Sequence, residues 1–303
     1  MRKIKLIVIV GPTASGKSAL AVELAERFNG EIVSADSMQV YRAMNIGTAK
    51  PMQGQRERVA HHLIDAADPD EEFTAARYRE EASRAIHEIR ERGRNVFVVG
   101  GTGLYIRALT RGLFQGPGSN PRLRRKLASE NLGPGYLYEK LKEVDPDAAA
   151  KIHPNNLTRV IRALEVYSLT SKPISAFQKE HSFSEEPYEA LNIGISVERN
   201  FLYKAIEDRV DSMIKAGLAG EVRRLLDMGY SPDLKAMGGL GYKEMIGYIQ
   251  NKYSLEYAVL EIKKNTRRYA KRQMTWFRRE ADIRWFAPDK KEDIMAAVKE
   301  FFG

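Results

Sequence analysis

The chain has 303 residues, 43% of them hydrophobic and 29% charged, with 49 Lys and Arg against 40 Asp and Glu for a net charge of +9. That composition excludes a mostly disordered chain, and the length allows two domains or one large domain with an insertion. There is no cysteine, which excludes a disulfide framework, a thiolate zinc site, an iron–sulfur cluster and a cysteine nucleophile, and which fits a reducing compartment. No run approaches the roughly 20 apolar residues that span a bilayer, so a cytoplasmic location without a membrane partner is expected.

Residues 4–10 (IKLIVIV) are a continuous β-branched run of the kind found in buried parallel strands. Met1-Arg2-Lys3 before it gives a start like that of a signal peptide. The apolar run is too short for one, however, and Gly11-Pro12 breaks it, so a strand is expected. Ser18 to Arg27 has helical spacing and stops at Asn29-Gly30, and Glu31 to Ala35 reads as a second strand ending at Asp36. Thr74 to Arg92 is a charged helix ended by Gly93, and Asn95 to Val99 is another buried strand, followed by Gly100-Gly101-Thr102-Gly103. Strands alternating with helices imply a parallel α/β sheet. From Phe114 to Pro187 the pattern is helical, behind a linker at residues 115–121 (QGPGSNP). Strand character returns at Leu191 to Val197, followed by a helix with Asn200 as its expected N-cap. A basic helix, a short strand at Ile283 to Phe286 and an amphipathic helix at 289–302 close the chain. The expected fold is therefore α/β: a P-loop NTPase-like parallel sheet flanked by helices, with an all-helical insertion. The core takes residues 1–113 and 188–303, and the insertion takes 114–187.

Residues 263–279 (KKNTRRYAKRQMTWFRR) hold eight basic residues and no acid. The remaining 41 basic residues nearly balance the 40 acidic ones, so this segment carries almost the whole imbalance. On a helical wheel the eight cations fall in one half, and Ile262, Tyr269, Trp276 and Phe277 fall in the other. A solvated surface is the ordinary reading of a basic face. Without interleaved acids, though, the cations have no internal relief, and a polyanionic partner supplies it. The apolar half has only the bulk of core packing, which favours nucleic acid over membrane and makes Trp276 a core anchor. Arg122, Arg124, Arg125 and Lys126 form a second basic cluster.

Gly11-Pro12-Thr13-Ala14-Ser15-Gly16-Lys17-Ser18 matches G-x-x-x-x-G-K-[ST] between a strand and a helix. Loop amides and the helix N-terminus converge on phosphate oxygens, Lys17 adds a charge, and the Ser18 hydroxyl suits Mg²⁺. The loop indicates a di- or triphosphate without specifying which. Asp36, at a strand end, reads as a turn cap, a metal ligand or a general base. His61 and His62 are neighbours in a strand and point to opposite faces, so they cannot chelate one ion and are expected to be structural.

Together with that loop, DSMQVYR at 36–42, GTAKP at 47–51, HHLID at 61–65, GGTGLY at 100–105, HPNN at 153–156 with RVIRALEV at 159–166, RVDSMI at 209–214, GYKE at 241–244 and the basic helix resemble the tRNA dimethylallyltransferase (tRNA isopentenyltransferase) family over nearly the whole chain. Without cysteine, the chain resembles the shorter bacterial form rather than relatives with an appended zinc finger. The resemblance implies transfer of a dimethylallyl group from its pyrophosphate to N6 of the adenine at tRNA position 37, next to the anticodon, with release of pyrophosphate. The expected partners are dimethylallyl pyrophosphate and the tRNA anticodon stem-loop, with Mg²⁺ as cofactor and no protein partner required. Residues 11–18 would hold the pyrophosphate, with Thr13 and Arg209 beside it and Ser18 on the metal. Asp36, Thr102 and Arg209 would be catalytic, Asp36 taking the N6 proton.

RNA contacts implied by the resemblance fall on Asp36, Ser37, Met38, Gln39 and Thr102; on Arg124, Thr158, Arg159, Val160, Ile161 and Arg162 of the insertion; and on Lys264, Arg267, Arg268, Lys271 and Arg272 of the basic helix. The insertion and the basic helix would grip the RNA on either side. A P-loop small-molecule kinase explains residues 11–18 but not the charge at 263–279. An adenylate isopentenyltransferase shares the donor, but the HPNN, GYKE and basic-helix features argue against it. A non-enzymatic RNA-binding NTP switch would not need DSMQVYR and GGTGLY.

Overall fold

Alternation of buried side chains makes the first strand, β1 (Ile4–Val10), the centre of the sheet. Leu6, Val8 and Val10 enter one core and Ile7 and Ile9 the other, all at most 1% exposed. A strand buried on both faces needs neighbours on both sides and helices above and below. The computed structural model describes residues 3–114 and 116–303; Met1-Arg2 and Gln115, which opens the expected linker, lie outside the described residues.

After β1 come α1 (Lys17–Arg27), β2 (Gly30–Ser34), α2 (Gln53–Arg58), the two-residue β3 (His61–His62), α3 (Ala75–Glu91), β4 (Asn95–Gly100) and α4 (Gly103–Arg111). The Thr74 hydroxyl caps α3 by accepting from Arg77 N. Five helices follow: α5 (Pro121–Ser129), α6 (Tyr136–Val144), α7 (Pro146–Ala149), α8 (Leu157–Thr170) and α9 (Ile174–His181). The sheet resumes with β5 (Tyr188–Ile195), then α10 (Arg199–Lys215), α11 (Leu218–Asp227), α12 (Tyr242–Ile249), α13 (Leu255–Phe277), β6 (Ile283–Phe286) and α14 (Lys291–Phe302). The six strands run parallel in the order β3-β2-β4-β1-β5-β6. The cap of α10 differs from expectation. Glu198 reaches the N–H groups of Asn200 and Phe201 with its carboxylate, and Asn200 lies inside the helix.

The chain divides into two compact units, Met1–Thr110 with Glu186–Gly303, and Arg111–Glu185. The first contains the sheet. The second is helical around its own core, in which Leu137, Leu141, Val160 and Val166 are fully buried. No helix among the described residues is long and apolar enough to cross a membrane.

Candidate active site

Parallel sheets place ligands at the carboxyl ends of their strands. The 11–18 loop leaves β1, Asp36 follows β2 and Gly101-Thr102 follow β4. The ends of β2 and β4 lie so close that a Cβ on Gly100 would stand 2.1 Å from the Ala35 carbonyl oxygen, so only glycine fits there. Thr102 N donates to that same carbonyl at 3.1 Å. The Thr102 hydroxyl accepts from Ser37 N at 3.0 Å and faces Ser37 Oγ at 3.3 Å. Asp36 and Thr102 are therefore held side by side by backbone geometry.

A cavity of about 1140 Å³ opens over these strand ends, lined by residues 13–19, Asp36, Arg209, Tyr269 and Gln273 among others. Its cationic end is Lys17 and Arg209. Lys17 Nζ donates to Pro12 O at 3.2 Å, and Arg209 Nη1 donates to Thr13 Oγ1 at 3.3 Å. Burial pulls the Lys17 pKa down to about 8; Asp36 opposes this and Arg209 adds to it. Burial also lowers Arg209. Two cations lining one cavity, at a cost to their charged forms, favour a polyanion there. The Ser15 hydroxyl is buried in the loop with no hydrogen-bond partner among the described residues, a donor that an added acceptor would satisfy.

Asp36 spends one carboxylate oxygen on a turn: Oδ1 accepts from Met38 N at 2.9 Å and Gln39 N at 3.2 Å. This leaves Oδ2 for a proton from a ligand. The cap reading and the base reading of Asp36 are thus compatible. Gln39 uses its amide to hold the cavity wall, donating to the Thr48 and Ala49 carbonyls at 3.2 Å each. Met38 is partly buried against the core.

That wall is fixed from below by Glu221, which is 2% exposed. Its carboxylate accepts from Asn45 N, Ile46 N, Gly47 N and the Tyr242 hydroxyl, at 2.7–3.1 Å. Lys50, whose side chain is 2% exposed, is clamped at 2.6 Å by Asp65, which also binds Arg56 at 2.9 Å. His61 and His62 each have a protein partner, Val59 O and Glu31 Oε2, both at 2.7 Å.

The basic helix corrects one expectation, because three of its cations find relief inside the fold. Lys263 pairs with Asp211, Lys264 with Glu261 and Arg267 with Glu207. The acids are distant in sequence or lie just before the segment, so a count over 263–279 cannot see them. Arg268, Lys271 and Arg272 are exposed, and none has an ion pair among the described residues. The helix ends at Phe277, so Arg278 caps it and Arg279 lies beyond. Trp276 is half-buried, packs against the core and carries the Arg107 guanidinium over its ring at 4.4 Å.

In the helical unit, Thr158 and Arg159 are exposed at the start of α8. Val160 is fully buried and Ile161 packs against the same core. The Val160 side chain cannot meet an RNA, because its helix face is the one turned inward. Arg124 and Arg162 are both drawn onto Glu165, a fully buried carboxylate, with Arg124 Nε at 2.9 Å. Arg162 also donates to Pro117 O at 2.8 Å.

Sequence reasoning missed two polar groups on the inward half of α13. Tyr269 stands in the cavity with its hydroxyl among Asp36, Thr102 and Gln273, and burial raises its pKa. Gln273 accepts from Thr13 N and donates to Gly101 O. Their signal is a hydroxyl and an amide spaced with Ile262 and Trp276 on the face turned to the core.

The family model described as IPP transferase matches residues 39–280. A tRNA dimethylallyltransferase of Geobacter metallireducens is 55% identical over 303 residues, covering 99% of this chain and 98% of that protein. One of Geobacter sulfurreducens is 52% identical over 304 residues, with coverage of 99% and 98%. The structure is similar to that of the full-length tRNA isopentenylpyrophosphate transferase of Bacillus halodurans, with a TM-score of 0.74 at 43% identity over 99% of this chain and 97% of that one. It is also similar to that of a eukaryotic dimethylallyltransferase acting on tRNA, with a TM-score of 0.83 at 31% identity over 99% of this chain and 79% of that one.

Proposed function

The chain belongs to the IPP transferase family of tRNA-modifying prenyltransferases, and on that premise we propose how its cavity transfers a dimethylallyl group from dimethylallyl pyrophosphate to N6 of the adenine at tRNA position 37. The observation that carries this reading is the convergence, in one cavity, of two half-buried cations, Lys17 and Arg209, with the Asp36 carboxylate oxygen that the turn does not use.

The pyrophosphate lies in the loop of residues 11–18, where the loop amides, Ser15 Oγ, Lys17 and Arg209 meet its oxygens. These groups stabilise the negative charge that grows on the leaving group as the bond from carbon to oxygen breaks. The adenine leaves its stack to enter the cavity, and N6 forms the new bond to that carbon. Its lone pair is delocalised into the ring, so N6 attacks well only as its proton departs. Asp36 Oδ2 accepts that proton, with the turn at Met38 and Gln39 fixing the carboxylate and Thr102 holding the adjacent Ser37. Pyrophosphate and prenylated tRNA are released, and the proton passes to solvent.

Mg²⁺ fits the donor set. Among the described residues no three His, Asp or Glu side chains stand together as ligands. The exposed Ser18 hydroxyl beside the phosphate cradle agrees with an ion that takes one protein oxygen and completes its shell with phosphate oxygens and water. When bound, it adds positive charge at the leaving group. RNA is held through phosphates by Arg268, Lys271 and Arg272, with Lys264 and Arg267 behind them. In the helical unit, Thr158, Arg159 and the Arg124–Arg162 pair hold it. A cytoplasmic location follows from the substrate.

Incubating the protein with radiolabelled dimethylallyl pyrophosphate and either tRNA or AMP tests the reading. Label in tRNA supports it. Label in AMP points to an adenylate prenyltransferase. Hydrolysis of added ATP without prenyl transfer contradicts it.

A further inference from the structure

The side-chain amide of Gln273 joins two loops that carry opposite halves of the reaction. Its Oε1 accepts from Thr13 N at 2.8 Å, on the diphosphate side. Its Nε2 donates to Gly101 O at 3.0 Å, on the side of Thr102 and Asp36. One partner is a donor and the other an acceptor, so the carboxamide satisfies both ends at once and its orientation is determined. The space is reserved for it: a Cβ on Gly101 would stand 2.1 Å from Nε2. Gln273 is 6% exposed, although Lys271 and Arg272, its neighbours in α13, are exposed cations. Thr13 is thereby held twice, through its N–H by Gln273 and through its hydroxyl by Arg209. Tyr269, one turn earlier, lines the same cavity.

A buried residue that only filled space here would be apolar, since an amide must be fully paired to offset its desolvation. From these contacts we propose that Gln273 is a positioning residue that couples RNA seating on the outer face of α13 to the geometry of the diphosphate cradle on its inner face. RNA on Arg268, Lys271 and Arg272 fixes the helix. The helix fixes Thr13 and Gly101 through one amide, and the donor then binds a cradle already in shape. Coupling of this kind is reciprocal, so bound donor also tightens RNA binding. The proposal rests on the prenyl-transfer reading of the cavity, and the test separates the two.

The probe is the unreactive thiolo analogue of dimethylallyl pyrophosphate, its Kd measured by calorimetry on the full chain with and without anticodon stem-loop RNA. Prenyl transfer by the wild type with natural substrates is measured alongside. The wild type should bind the analogue more tightly with RNA, by roughly 5- to 150-fold, the range of ordinary coupling. Gln273→Met, of similar length and without hydrogen bonds, should lose that gain and raise the donor KM more than it lowers kcat. Gln273→Glu keeps the acceptor for Thr13 N and loses the donor to Gly101, so it should retain part of the gain. If Gln273→Met does not fold, reduced coupling in Gln273→Glu supports the proposal and wild-type coupling overturns it. Transfer by the wild type without coupling, or full coupling in Gln273→Met, overturns the proposal and leaves the prenyl-transfer reading standing. Absence of transfer overturns both.

Discussion

Arg209 and Thr13 meet across the mouth of the phosphate loop, guanidinium to hydroxyl at 3.3 Å, although they are 196 residues apart in the chain. This contact lets α10 close a loop that β1 and α1 build. It also brings a second cation into the cavity that Lys17 lines, as the family resemblance implied and local residue pattern alone does not.

Arg209→Ala should therefore lower kcat/KM for the donor by about 10²- to 10³-fold, the range for removing one preorganised charge-stabilising group. Arg209→Lys should recover part of the loss, because the charge remains and the fork is gone. Steady-state kinetics with varied donor checks this. A change of less than threefold in Arg209→Ala would remove Arg209 from the pyrophosphate site.

Lys17 gives a pH dependence with a definite sign. Burial holds its pKa down to about 8, and a pyrophosphate beside it would stabilise the protonated form. Donor affinity is then full below about pH 8. It falls as pH rises through that value, approaching tenfold per pH unit. Donor Kd measured across about pH 7 to about pH 10 should show the inflection, and a flat profile would contradict it.

The exposed cations of α13 predict a salt response. Phosphate contacts release counterions, so tRNA affinity should fall by roughly 0.7–0.9 log units per contact per log unit of salt. Arg268→Glu with Arg272→Glu should weaken tRNA binding and flatten that slope, with donor binding in the absence of RNA unchanged. If these side chains were only solvated surface, affinity and slope would equal those of the wild type.

Glu221 predicts a loss of stability. Glu221→Ala strands three backbone N–H groups and the Tyr242 hydroxyl in the interior. At about 1–3 kcal/mol per orphaned group, the total cost should exceed about 3 kcal/mol in denaturant unfolding. A cost under about 1 kcal/mol would mean that the 45–47 loop has other support.

What was legible in the sequence was local. The phosphate loop is written in its own glycines and flanking strand, and the sheet in its β-branched runs. The inward turn of Val160 is local too, in its helical spacing with Ala163 and Leu164, although the resemblance put it among the RNA contacts. Relations between distant segments were not legible. The pairing of Lys263 and Arg267 with Asp211 and Glu207 depends on α10 packing beside α13, which no window of residues encodes. Periodicity placed Ile262, Tyr269, Trp276 and Phe277 on the apolar half of the helix and left Gln273 unread, because an inward glutamine has no partner until Thr13 and Gly101 are brought to it. At the start of α10, Asn200 has the composition of a cap, and a longer side chain two residues earlier takes that role.

The proposed proton acceptor, Asp36, is the centre of the mechanism, and Asp36→Asn isolates it, because an asparagine Oδ1 can still accept from Met38 N and Gln39 N and keep the turn. The decisive measurement is the single-turnover rate of prenyl transfer with saturating donor and tRNA, read beside the tRNA Kd. The predicted result is a rate lower by about 10²- to 10⁴-fold with tRNA Kd changed only slightly. A near wild-type rate with weakened tRNA binding would contradict it and make Asp36 a group that positions the RNA.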